Sequence, residues 1–253
     1  MKKWFVLICL LGCSCGLSAQ EGPQLYNMGF DHWSRKGGAW NPYPEDASAA
    51  RRVWDTSNRG LGKLGINGTL PECQHVAVPG KGKAAARIES RKVLWCFVAG
   101  NLFTGRFERI ANLSGAELLF GVPFPYRPRS LSGWCHYIPK AIDQAKEPYL
   151  DLLGKTDVGR IELILTDWKS PYHIVTSEEA FIDAATDPHV IGRAQLLLNR
   201  DTGGYIRFDI PVQYRSGATP RYAVITATSS HYGDAFTGGN GSILYVDELQ
   251  FNY

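Results

Sequence analysis

The sequence predicts an all-β fold, a sandwich or jelly roll with long loops and one short helix, and three observations carry that prediction. Short runs alternate apolar and polar residues with period two. Arg160 to Asp167 (RIELILTD) is the clearest, with Ile161, Leu163 and Leu165 on one face and Glu162 on the other. Twenty-seven glycines divide the 253 residues into such runs, and only one stretch holds a convincing helical signal. Aromatic residues make up 12% of the chain, which suits a core packed between two sheets. The length is enough for one large β domain, and no repeat, low-complexity tract or linker divides it.

Residues 1–20 read as an export signal and are set aside: Lys2 and Lys3 precede an apolar core, Trp4 to Leu11, too short to span a bilayer. Two endings compete, a signal-peptidase site at Leu17-Ser18-Ala19 before Gln20, and a lipoprotein box, Leu10-Leu11-Gly12-Cys13. Either takes the protein out of the cytoplasm, as a secreted, periplasmic or surface protein without a transmembrane span, lipid-anchored if Cys13 is used. Residues 21–253 then form the single mature domain. Loss of residues 1–20 removes two lysines and no acid, so a net charge of +3 becomes +1. That balance argues against nucleic acid as a partner. Cys73, Cys96 and Cys135 remain, an odd number without zinc spacing, and Cys96 and Cys135 read as buried thiols.

In chain order, Gln24 to Trp33 reads as a first strand with Tyr26, Met28 and Phe30 on one face and Asn27 and Asp31 on the other. Ser34 to Pro71 is loop-like, and Trp54 within it is expected to plug the core. Ala84 to Ser90 and Val93 to Ala99 read as a pair of strands, followed by strands at Phe103 to Phe107, Gly115 to Phe120 and Leu131 to Ile138. Three prolines in Val122 to Arg129 impose an extended rim segment. Thr176 to Ala185 is the expected helix, with a capping box of Thr176 and Glu179 and a stop at Asp187-Pro188. Val190 to Asn199 is ambiguous between helix and strand, while Tyr205 to Tyr214 and Arg221 to Ser229 read as strands.

The last stretch, Ser229 to Tyr253, runs from a glycine-rich loop into a closing strand. Counting by two places Ile243, Tyr245, Asp247, Leu249 and Phe251 on one face, four of them large and apolar. Asp247 is therefore expected to point inward, where a carboxylate needs a partner, an amide cap or a cation.

No decisive catalytic motif is present. Asp31, Glu162, Asp167, Asp209 and Asp234 are not paired by spacing, and Ser229, Ser230, His231 and Asp234 lack a G-x-S-x-G elbow. The glycines near Gly238 precede a strand and lack the Lys-Ser/Thr of a phosphate loop, and no H-E-x-x-H or C-x-x-C occurs. Sugar binding asks for less: flat aromatic faces plus a few polar groups at a rim. The ligand-binding candidates are Trp134, His136, Tyr126 and Arg127, with Arg129 beside them, around the proline-rich segment, and His231 and Asp234 in the closing loop.

Five blocks carry a family resemblance: Asn27-x-Gly29-Phe30-Asp31; Gly100-Asn101-Leu102-Phe103-Thr104-Gly105; Arg127-Pro128 with Leu131-x-Gly133-Trp134 and Tyr137; Ser229-Ser230-x-x-Gly233-Asp234-x-Phe236-x-Gly238; and Gly241-Ser242-x-Leu244-x-Val246-Asp247. In this order they resemble the putative carbohydrate metabolism domain of secreted and surface proteins of gut Bacteroidetes. The resemblance implies a jelly-roll β-sandwich and a place in polysaccharide utilisation. Asp247-Glu248 stands where a double aspartate is usual, and Asp31 where glutamate is usual. A wider similarity to jelly-roll carbohydrate-binding modules implies that Asp31 and Asp247 lie on neighbouring strands and hold a structural calcium; a carboxylate capping loop amides is the alternative. The expected function is non-catalytic glycan recognition, with a glycoside hydrolase on the same fold, or an adhesion module that binds protein, as alternatives.

Overall fold

The computed structural model describes residues 22–253 apart from 63–64, 113–114 and 177–180. Both readings of the export signal lie outside the described residues.

Two antiparallel sheets face each other. The smaller runs Ile206–Pro211, Ser130–Ile138, Ile243–Asn252, Ala85–Glu89, Thr69–Glu72. The larger has nine strands, in the order Tyr172–Val175, Gly115–Phe120, Asn101–Asn112, Tyr222–Thr228, Gly159–Thr166, Val190–Leu198, Gln213–Tyr214; Trp54–Asp55 adds to Asn101–Asn112, and Val122–Pro123 to Tyr222–Thr228. The chain crosses between the sheets repeatedly, giving a jelly-roll β-sandwich. Period-two alternation places one face of each strand in a shared core: Leu131, Cys135 and Tyr137 meet Ile161, Leu163 and Leu165 across the interface, all fully buried. Trp54 plugs this core as expected, 1% exposed, its indole N–H donating to the Tyr26 carbonyl at 2.9 Å.

Several expectations are corrected. The closing strand does not keep one parity. Ser130–Ile138 pairs with it through a register shift opposite Gly133, where Glu248 adopts a φ of 50°. Leu244 and Val246 before this bulge, and Leu249 and Phe251 after it, face the core. Ile243, Tyr245 and Asp247 therefore face outward. Gln24 to Trp33 forms no strand but a turn at 26–29, with positive φ at Asn27 and Phe30. It still lies along the closing strand, because the Gln24 side-chain amide bonds both backbone groups of Phe251, and Leu249 donates to the Met28 carbonyl.

Ala85–Glu89 does not pair with the segment after it. It joins the closing strand and Thr69–Glu72, while Arg91–Val93 pairs with Cys96–Val98 in a separate ribbon that turns at Leu94 and Trp95. Val190–Leu198 is a strand. Of the helix expected over Thr176 to Ala185, 177–180 and Glu179 with them lie outside the described residues; 181–183 are irregular and 184–186 turn, so no helix reaches Ala185. Thr176 Oγ1 instead accepts the Ala116 N–H at 2.8 Å, and Asp183 closes its own turn on the amides of Ala185 and Thr186. Among the described residues the one α-helix is Asn58–Leu61. Among the described residues Cys73, Cys96 and Cys135 are free thiols; Cys135 is buried and Cys96 partly so.

Candidate functional site

The outward face of the five-stranded sheet gathers aromatic rings from four segments. The register sets His136 opposite Tyr245, and Tyr245 opposite Arg87. Tyr205, just ahead of the edge strand, extends this row on the far side of His136, with ring centroids 5.9 Å apart. His75, from the loop after Thr69–Glu72, packs on all three rings at 4.8–5.2 Å, and its Nε2 lies 2.9 Å from His136 Nδ1. The Tyr205 hydroxyl donates to the His75 carbonyl at 2.8 Å, fixing that loop to the sheet. Burial, with His75 second, lowers the His136 pKa, so the neutral ring is favoured. Trp134 stands on the same outward face beside Asp247 and Arg207, half-buried.

Asp247 is 1% exposed, although it faces outward, because the loop carrying His75 folds over it. The Ala77 N–H donates to one carboxylate oxygen at 2.9 Å and the Glu248 N–H to the other at 2.8 Å. Burial, then the charges of Glu248 and Asp31, push its pKa up to about 6. Asp31 accepts the amides of Lys83 and Ala84, and Glu248 pairs with Lys81 at 2.7 Å. The Asp31 and Glu248 carboxylates converge over two glycines: a Cβ on Gly82 would lie 2.9 Å from Asp31 Oδ1 and 3.3 Å from Glu248 Oε1. Three carboxylates thus share one corner, and oxygen donors are what calcium requires. Among the described residues no three His, Cys, Asp or Glu side chains form a complete metal-holding group, so backbone carbonyls would have to complete a shell.

The remaining candidates lie elsewhere. Arg127 stacks over the Tyr214 ring at 3.9 Å and donates to the carbonyls of Ser216 and Ala218, a strut between loops. It and Tyr126, 42% exposed, sit beyond the start of the strand whose other end carries His136, about 20 Å away at ~3.3 Å per residue. His231 and Asp234 belong to the nine-stranded side. Burial, then Arg160 and Arg193, lowers the His231 pKa to about 4. Asp234 is exposed at the end of a groove on the outer face of that sheet.

The family model of the putative carbohydrate metabolism domain matches residues 29–252. The chain belongs to this family. Among solved structures it is similar to a putative glycoside hydrolase of Bacteroides thetaiotaomicron, at 24% identity and a TM-score of 0.64, over 92% of this chain and 72% of the other. It is also similar to a putative glycoside hydrolase of Bacteroides vulgatus, at 18% identity and a TM-score of 0.62, over 87% and 93%. These likenesses establish the fold. No curated protein matches the chain.

In this putative carbohydrate metabolism domain much of the closing-loop motif is architectural. Asp157, fully buried, accepts the Ser230 hydroxyl at 2.6 Å, the Gly239 N–H at 2.7 Å, the Ser242 hydroxyl at 2.8 Å and the Val158 N–H at 2.8 Å. Ser90 bridges Ser229 and Ser230 at 2.7 Å each. A side chain at Gly238 would put its Cβ 2.6 Å from Ser230 Oγ. Sequence reasoning missed Asp157, and it missed His75, Tyr205 and Tyr245 as partners of His136.

Proposed function

We propose that the protein is an exported, non-catalytic glycan-binding domain that seats a sugar on the outward face of the five-stranded sheet. The observation that carries this reading is the transverse row Tyr205, His136, Tyr245 and Arg87, with His75 against the rings and Trp134 beside them. The exposed His75 ring and the edges of the partly buried rings beside it offer apolar surface to the C–H side of a sugar, and Arg87, Arg207 and Asp201 supply polar contacts at the margin. Two carboxylates of this face, Glu89 and Asp247, are already committed. Glu89 holds Arg87 and Arg91 at 2.7 and 2.6 Å, and Asp247 is closed under its loop. Hydrolysis needs two carboxylates free to work across one bond, so this face favours binding over cleavage. The hydrolase names of the two similar structures speak to fold at these identities.

Two further parts belong to the proposal. The Asp31, Asp247 and Glu248 corner holds a structural calcium that relieves their mutual repulsion. The leader exports the chain, with a lipid on Cys13 if the lipoprotein box is used; intact mass from the native host distinguishes the two ends. A glycan array with the mature protein tests the central reading. At least one glycan should bind the wild type, and Trp134→Ala and Tyr245→Ala should each weaken that binding about ten-fold with nearly unchanged melting. Release of new reducing ends from the bound glycan would instead make the protein a hydrolase, and no hit on any glycan would sink the reading.

A further inference from the structure

The opposite face of the molecule is built differently. A groove of about 420 Å³ runs along the outer face of the nine-stranded sheet, floored by outward side chains such as Phe103, Leu118, Ile164 and Val224. The ribbon Arg91–Val98 forms one wall. Leu94 and Trp95 at its tip are 73% and 83% exposed, and Ile110 across the mouth is 57% exposed. Three large apolar side chains held in water around a concave apolar floor mark a place where apolar matter is received.

One end of the groove is polar, and its hydrogen bonding is incomplete. Glu162, only 6% exposed, is held on one oxygen by Arg193 at 2.6 Å and Gln195 at 3.3 Å. Arg160 is 19% exposed, and its Nε is buried without a hydrogen-bond partner among the described residues. Its nearest carboxylate oxygens are those of Glu162 at 3.7 Å and Asp234 at 3.8 Å, both beyond hydrogen-bond length. Thr226 Oγ1 in the same groove is also buried without a partner. A buried Nε without a partner is costly, and a ligand oxygen between Arg160 and Asp234 would remove that cost.

The charges select the kind of oxygen. Arg160 and Arg193 are balanced by Glu162 and Asp234, so the site offers no net attraction to an anion, and a ligand carboxylate would approach two carboxylates near the same guanidinium. A hydroxyl suits both sides, accepting from Arg160 while donating to Asp234. We propose that this groove binds an amphiphilic glycoside: a neutral sugar head at Arg160, Asp234 and Thr226, and an apolar aglycone between the sheet floor and Trp95. The site is independent of the aromatic platform on the other sheet.

The test is calorimetric titration of the mature protein with octyl β-D-glucopyranoside below its micelle concentration and with phenyl β-D-glucopyranoside. Octanoate and methyl β-D-glucopyranoside serve as half-ligands. At least one of the two glycosides should bind saturably, ten-fold or more tightly than either half-ligand; which one binds separates an acyl-like from an aromatic aglycone. Arg160→Ala should weaken that binding at least ten-fold. Trp95→Ala, at a position too exposed to affect folding, should weaken it several-fold, and Trp134→Ala should leave it unchanged. Saturation by neither glycoside, octanoate binding as tightly as the octyl glycoside, or a response to Trp134→Ala but not Trp95→Ala would each overturn the assignment.

Discussion

The two outer faces of the sandwich differ in where their polar groups find partners. On the five-stranded side the polar atoms are mostly satisfied by the protein itself. Asp247 is closed by two amides, the Tyr205 hydroxyl by the His75 carbonyl, and the His75 and His136 rings by each other. What that face leaves open is aromatic surface. On the nine-stranded side the Arg160 Nε is buried without a partner among the described residues, at the end of an apolar groove. One face leaves mainly aromatic surface and offers shape; the other leaves a buried donor unmet among the described residues. A buried unmet donor costs free energy, whereas an exposed ring costs little, so the two faces should respond differently to substitution.

The largest expected effect breaks the self-sufficiency of the five-stranded side. Asp247→Ala strips the acceptor from the amides of Ala77 and Glu248 and should cost about 2–4 kcal/mol. For a domain of this size that lowers the melting temperature by about 5–15 °C. The loop from Cys73 to Ala84 should also become open to proteolysis. A change below about 1 °C in calorimetry would mean that these amides are served equally well by water. The calcium proposal is read on the same instrument: excess calcium should raise the wild-type melting temperature above its value in chelator, and Asp31→Asn or Asp247→Asn should remove the difference. Identical melts of the wild type in both conditions would discard the metal.

The next effect separates surface from core on one face. Trp134→Ala should weaken binding of an array-identified glycan about ten-fold, or ~1.4 kcal/mol, with a melting temperature within about 2 °C of wild type. Trp54→Ala, which empties a site 1% exposed, should instead cost about 3–5 kcal/mol. If the two variants melt alike, Trp134 is a packing residue and the platform loses its edge.

How far the sequence could reach follows from the same contrast. The strands Gly159–Thr166, Ser130–Ile138 and Tyr222–Thr228 were legible from short apolar runs rich in β-branched and aromatic residues, although Gly159–Thr166 is buried on both faces. The closing strand misled because a bulge at Glu248 shifts its phase. The signal was present, since Leu244 and Val246 are out of step with Leu249 and Phe251, and two adjacent acids mark the slip. The expected helix does not reach Ala185 because Asp183 turns the chain on its own amides at Ala185 and Thr186, a competing local bond that the apolar pattern does not reveal. The platform was half visible through Trp134 and His136. His75, Tyr205 and Tyr245 come from three other segments, and only sheet order unites them. Tyr126, Arg127, His231 and Asp234 were close to Trp134 in sequence or in composition, yet the fold sends them to other places.

The smallest effect concerns pH, and it probes whether the platform and its acidic corner act as separate groups. Asp247 has a folded pKa of about 6 against an ordinary 3.8. Between those values the native state holds a proton that the unfolded chain has released. Its contribution to stability is therefore complete below about 3.8 and lost as pH rises through about 6. His136 has the opposite sign. Its pKa lies below the ordinary 6.5, so on acidification the unfolded chain takes up a proton that the native ring resists, and stability falls. In chelator, from pH 7 to pH 5 the two contributions oppose each other, that of Asp247 being worth about 1 kcal/mol. Relative to wild type over that interval, His136→Gln should gain stability and Asp247→Asn should lose it, shifting the melting temperature by about 2–4 °C in opposite directions. Parallel shifts in the two variants would mean that neither group titrates in this window. A loss in both would place the acid-sensitive group elsewhere, with His231 the next to substitute, since its folded pKa of about 4 gives it the same sign as His136.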